Sequence, residues 1–231
     1  DSSTSRGLGD VYKRQIYLSS MTHRCFISFK KEDEYYRDEI ARLLDDESIP
    51  RRSLDRWIDS ADLDYVMQTI RENYMKGTSV TLYLIGEHSS ENEGLDEYGR
   101  SKQSFMIREL QATLYDRKGN KRSGLLGIVL PEMTNRIFLN KYHCPVCGKE
   151  VSTIGICDDT VLREFSKNYW LKENECGHYS EDGRFCVLVS YEDFMKNPEK
   201  YINEAYEKTE APIANCVHYR DIEHIGMKSY R

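Results

Sequence analysis

The sequence predicts an α/β fold: a parallel sheet of about five strands, helices on both faces, and a cysteine-containing insertion before the last strand. Three observations predict it. Short β-prone apolar runs recur along the chain. Segments with helical apolar spacing separate them, giving the order β-α-β-α-β-α-β-insertion-β-α. The rhythm breaks once, over 132–183, where most of the cysteines gather.

Arg24 to Phe29 (RCFISF) is short, apolar and β-prone, and reads as a buried strand. Tyr36, Ile40, Leu43 and Leu44 recur at helical spacing, so about 33–46 is an amphipathic helix, ended by Ile49-Pro50. Ser53 to Ile58 (SLDRWI) is a second, weaker strand candidate. Ser60 is placed to cap a helix over about 61–76, whose buried face is Leu63, Val66, Met67, Ile70 and Tyr74, with Gly77 at its C′ position. Ser79 to Ile85 (SVTLYLI) is the clearest strand, rich in β-branched and apolar residues. A long polar loop, 86–103, follows it, and loops of that length are often functional. Met106, Leu110 and Leu114 mark a helix over about 104–116. Leu125 to Leu130 is another strand, stopped by Pro131. Phe185 to Ser190 returns to strand, and Asn197-Pro198 opens the last helix as cap and first helical residue. In such a sheet ligands bind at the carboxyl ends of the strands, so the segments after Phe29, Ile58 and Ile85 would share one cleft.

The chain has 231 residues, room for one α/β domain with an elaboration. Apolar residues make up 39% and charged residues 31%, with a mean hydropathy of −0.70. No apolar run is long enough to span a bilayer. The net charge of −6, with acids and bases interleaved, lacks the basic footprint of a nucleic-acid binder. The cysteines number seven, and no apolar signal region opens the chain, which argues for a reducing, cytoplasmic setting where clustered thiols hold metal. Asp1 to Gln15 is polar and aperiodic and resembles a translated adapter. Residues 1–20 are therefore read as a non-native or disordered leader before Met21, and 21–231 as a single domain.

Several chemistries are disfavoured. GxGxxG, GxxxxGK[ST], GxSxG and HExxH are all missing from the sequence. The insertion carries its own signal. Cys144-Pro-Val-Cys147-Gly148 is a knuckle that presents two thiolates to one ion, and Cys176-Gly177-His178 can supply two more ligands, completing a closed, structural Cys3His zinc site. Cys157 is an alternative ligand, while Cys25 and Cys186 lie in strand patterns and read as small core residues.

The strand RCFISF, the segment WID (Trp57–Asp59), the strand and loop SVTLYLIG (Ser79–Gly86) and the helix start SFMIREL (Ser104–Leu110) stand in the order found in a Toll/interleukin-1-receptor-like (TIR-like) domain. Together with VSYEDFMKNPEKYI (Val189–Ile202), they resemble the TIR-like proteins of bacterial Thoeris anti-phage systems over roughly 22–208, apart from the insertion. The resemblance implies a flavodoxin-like sheet and cleavage of the nicotinamide–ribose bond of NAD, releasing a hydrolysed, cyclised or transferred ADP-ribose signal. It further implies self-association and a separate effector protein that the product nucleotide activates. In enzymatic members the catalytic glutamate lies four residues beyond a bulky aromatic on the helix after this strand. Glu109 matches it, with Phe105 one turn earlier on the same face, where a tryptophan is common. The same resemblance places Ser28, Phe29 and Lys30, Trp57 and Asp59, and His88 around the substrate. Four of these have a plainer alternative: Phe29 and Trp57 as packing residues, Lys30 and His88 as solvated surface. A non-catalytic TIR-like scaffold is the alternative for the whole chain.

Overall fold

The computed structural model describes residues 23–44, 62–117 and 120–220, together with 54, 56, 58–60 and 222. Strands β1 (Cys25–Ser28), β2 (Val80–Ile85), β3 (Gly124–Val129) and β6 (Val187–Ser190) form one wholly parallel sheet in the order β1-β2-β3-β6. Strands β4 (Phe138–His143) and β5 (Glu150–Ile154) form a separate antiparallel hairpin. The helices are α1 (Glu34–Leu43), α2 (Leu63–Asn73), α3 (Ser104–Leu114), α4 (Thr134–Ile137), α5 (Arg163–Tyr169), α6 (Tyr191–Lys196) and α7 (Pro198–Glu210).

The α/β class and the parallel sheet agree with the sequence reading, but among the described residues that sheet has four strands where about five were expected. The missing strand is the one expected over 53–58. Leu54, Arg56 and Ile58 lie outside any strand, and Ser53 and Trp57 fall outside the described residues. Leu54 is buried, yet its amide donates to the Glu109 carboxylate, so it does not pair with a neighbouring strand. An apolar side chain beside a polar one looks the same in sequence whether the backbone pairs with a strand or with a side chain.

Side chains of the central strands alternate between two cores. Tyr83, Ile85, Leu125 and Val129 face α3 and α5, packing on Met106, Ile107, Leu110, Phe165 and Tyr169. Leu82, Leu84, Leu126 and Ile128 face α1, α6 and α7, on Ile40, Phe194, Ile202 and Ala205. A third cluster joins α2 to α3 through Val66, Met67, Ile70 and Ala112, with Phe26 and Leu54. The helices thus cover both faces, as a parallel sheet requires.

The helix ends agree with the sequence at α7 and differ from it at α2. Asn197 caps α7 through its side chain, accepting from the Lys200 amide, with Pro198 next. The cap of α2 is Asp62, which accepts from the Asp64 and Tyr65 amides, and not Ser60. Gly77 takes a φ of 76°, but in the Met75–Thr78 turn beyond the C′ position. Between β3 and β6, Val161, Leu162, Phe165 and Tyr169 are buried against the sheet, so part of the segment 132–183 belongs to the main core. Among the described residues no helix is long and apolar enough to cross a membrane.

Candidate active site and metal centre

β1 ends on Ser28 at the carboxyl edge of the sheet, and α3 brings Glu109 to it. The Ser28 hydroxyl donates to Glu109 Oε2 at 2.7 Å, and the Leu54 amide donates to Oε1 at 3.1 Å. Glu109 is 3% exposed. Burial pushes its pKa from 4.5 up to about 7, and the Ser28 and Leu54 hydrogen bonds pull against that rise. The result is a carboxyl held in one orientation by two donors, poised between neutral and charged near physiological pH.

Replacing Ser28 by Ala removes one of the two donors that favour the charged form. The titration of Glu109 should therefore move further up, read from the pH dependence of its side-chain carboxyl carbon by NMR. An unmoved titration would show that the hydroxyl does not hold the charge.

The other expected site residues divide. Phe29 is half-buried against the α1 side of the core, with the Arg37 guanidinium 5.1 Å from its ring centre. Lys30 donates from Nζ to the Lys102 carbonyl at 3.2 Å, tying the loop after β1 to the 86–103 loop. Phe105 is partly buried against the α2–α3 cluster, as are Ile58 and Tyr74, and stands one helical turn before Glu109. Asp59 is exposed. The ring of His88 is half exposed and lies 3.4 Å from the Glu93 carboxylate, and its carbonyl accepts from Gln103 Nε2 at 3.0 Å. Trp57 lies outside the described residues. The structure thus brings Ser28 onto Glu109, and Lys30 and His88 to the two ends of the 86–103 loop.

Two residues at this edge escaped the sequence reading. Asp33, just after β1, is buried, and its Oδ2 has no hydrogen-bond partner. Burial, reinforced by Glu132 and Glu32, raises its pKa to about 6. A Cβ at Gly86 would lie 2.5 Å from either of its oxygens, so the glycine that ends SVTLYLIG makes room for this carboxyl. Gln103 is fully buried with an unpartnered Oε1. In the sequence both look like ordinary loop polarity, and only the glycine after the strand hints at close packing.

The second site is the cysteine cluster. The ligand atoms of Cys144, Cys147, Cys176 and His178 all lie within 4.8 Å of one another. A tetrahedron with metal–sulfur bonds of about 2.3 Å sets sulfurs roughly 3.8 Å apart, so the residues fit one ion after a small contraction. Two further features agree with a metal. His178 Nδ1 is buried without a hydrogen-bond partner. The amides of Cys147 and Val146 point at the Cys144 sulfur and hold its thiol below the usual range. Both arms are pre-shaped. Gly148, at φ 67°, closes the knuckle with its amide on the Cys144 carbonyl. Asn174 Oδ1 accepts from the Cys176 and His178 amides. Cys157 is not part of the cluster; its sulfur sits beside Thr160, so the alternative ligand set is set aside. Cys25 and Cys186 are buried in the core, as expected.

Comparison of the chain with protein-family models, curated proteins and solved structures gives no match in any of the three.

Proposed function

We propose that the chain is a TIR-like enzyme that cleaves the nicotinamide–ribose bond of NAD, with Glu109 as the catalytic carboxylate. The observation that supports it most is the buried Glu109 carboxyl, fixed by Ser28 at the carboxyl end of a parallel sheet, where the resemblance to Thoeris TIR-like proteins puts the catalytic glutamate. In the reaction the ribose C1′–nitrogen bond breaks and its electron pair neutralises the pyridinium, which leaves as nicotinamide. Positive charge develops on the ribose, and a nearby ionised carboxylate in a site of low dielectric stabilises it. Water at C1′ gives ADP-ribose; a nucleophile of the ADP-ribose itself gives a cyclic product. The product would signal to a separate effector in cytoplasmic anti-phage defence, with self-association of the chain assembling the active form. Phe29, Lys30, Phe105 and His88 would border the substrate, Lys30 by meeting the diphosphate as a point charge.

A second reading, a non-catalytic scaffold, is favoured by one observation. Both Glu109 oxygens already have protein donors, and the Leu54 backbone occupies one of them. For the enzyme reading, the Leu54 segment must lift from Glu109 when NAD enters. The Cys144, Cys147, Cys176 and His178 cluster is proposed to hold zinc, the ion suited to three thiolates and an imidazole, in a closed and therefore structural site. The deciding experiment incubates concentrated protein with NAD and follows nicotinamide and the second product by liquid chromatography and mass spectrometry. Nicotinamide release supports the enzyme, and the mass of the co-product gives the nucleophile. NAD left intact, also in lysate of infected cells, supports the scaffold.

A further inference from the structure

We propose that metal binding at Cys144, Cys147, Cys176 and His178 latches the segment between the ligands onto the 86–103 loop and α3, so that an ion far from the chemistry in sequence holds the edge of the proposed active site in place. The inference rests on the zinc reading given above.

Two of the ligands stand on the β4–β5 hairpin and two on the turn around Asn174. The hairpin arm has little else to hold it. The hairpin is two-stranded, irregular in register between Phe138 and Lys141, and mostly solvent-exposed. An isolated hairpin of this kind is marginal in water. The turn at 173–179 is held by its own backbone bonds and the Glu173–Tyr179 bridge, and from outside by Arg184, which donates to the Tyr179 carbonyl, and by the Trp170 ring against Tyr179, all of them at its Tyr179 end. One ion bound by both arms closes the chain between Cys147 and Cys176 into a loop, which removes much of the freedom of the open form.

What lies inside that loop touches the proposed site. The Asp158 carbonyl accepts from the Glu91 amide at 3.1 Å, and the Arg163 amide donates to Glu91 Oε1 at 3.2 Å. Asn92 donates to Asp159. The Leu162 amide donates to the Tyr83 hydroxyl at 3.1 Å, and that hydroxyl donates to the Ser89 carbonyl. From α5, Glu164 accepts from Gln111 Nε2 at 2.9 Å, on the helix that carries Glu109. Apart from the Tyr83–Ser89 bond, which passes the contact on from β2 to the loop, each of these bonds joins the 156–164 stretch to the loop after β2, to β2 itself or to α3.

The test is metal analysis and hydrogen–deuterium exchange on the whole protein, as purified, after treatment with a zinc chelator, and after reloading with zinc alone. The exposed ligand Cys147 is changed to Ser as a second route to the metal-free form. The expected result is one ion per chain. On its removal, opening should increase by roughly several hundredfold over 138–154 and 171–183, the size of effect given by closing a loop of about thirty residues. A smaller, clear rise is expected over 156–164 and 86–103, while Leu82–Ile85 and Leu125–Val129 stay protected. Reloading reverses it. No bound ion, even after reloading, overturns both the zinc reading and the latch. A bound ion whose removal leaves 86–103 unchanged overturns the latch alone, as does a loss of protection throughout β2 and β3.

Discussion

Glu109→Gln should lower nicotinamide release from NAD by on the order of a hundredfold to a thousandfold while the protein stays folded. The amide keeps the shape of the side chain and removes the charge that would face the developing cation. The same substitution has a signature in stability that does not depend on catalysis. Burial raises the Glu109 pKa from 4.5 to about 7, so the folded state holds this proton more tightly than the unfolded chain. The stabilisation is therefore complete below pH 4.5 and is lost as pH rises through about 7. The shift corresponds to about 3 kcal/mol. Thermal melts should show wild type losing stability across that window relative to Glu109→Gln, which has no proton to release there. Activity should run the other way and rise through about pH 7, because the ionised form is the one that stabilises the ribosyl cation. Melts with identical pH profiles would place the Glu109 carboxyl in a wetter setting than the structure gives it. Unchanged turnover in the variant would sink its catalytic role.

Arg71→Ala should cost about 3–5 kcal/mol, from lost charge-assisted hydrogen bonds and the void left behind, and lower the melting temperature by roughly 10 °C. Arg71 looks like a surface residue in the run IREN, yet it is 8% exposed. Its guanidinium donates to the Ala112 and Lys121 carbonyls, to Ser123 Oγ and to Asn120 Oδ1, at 3.1, 2.5, 3.1 and 3.3 Å. It therefore ties α2 to the end of α3 and to the turn that leads into β3. Alanine leaves the buried Ala112 carbonyl without this donor and a void beside it. Lysine would restore little, because one ammonium cannot spread over four acceptors set around a planar fork. A melting temperature within about 2 °C of wild type would mean that the turn finds other donors.

The contrast between Arg71 and Glu109 shows what the sequence carries. Strands such as SVTLYLI are legible because burial on both faces demands continuous apolar residues, and the two cores on either side of β2 and β3 follow from their alternation. The zinc-type ligands are legible because a two-residue gap between thiols has few other uses. The segment 53–58 was not legible, because the partner of the Leu54 amide is a side chain 55 positions away. Helix α5 was overlooked although Val161, Leu162, Phe165 and Tyr169 carry a helical apolar pattern, since it sits between two polar, metal-bearing arms. The hairpin gave no signal because its strands are exposed, so neither face demands apolar side chains. Asp33 and Gln103 were invisible for the opposite reason: polar residues in polar stretches, buried by the approach of distant parts of the chain.

The register of the sheet also bears on how the molecule assembles over time. β1 pairs Cys25 with Val80 and β2 pairs Val80 with Gly124, separations of 55 and 44 positions (80 − 25 and 124 − 80). β3 pairs Leu126 with Val187, a separation of 61 (187 − 126), the longest of the three. These separations are too similar for closure entropy to order the strands, but β6 is the last strand in the chain and so leaves the ribosome last, and during synthesis it completes the sheet last. Until it arrives, the outer backbone of β3 is an open template for another chain, and Leu126 and Ile128 lack the cover of Val187 and Val189. A nascent chain is therefore most prone to aggregate in the interval between the emergence of β3 and that of β6, and crowding or heat during synthesis bears on the yield of folded protein chiefly through that interval.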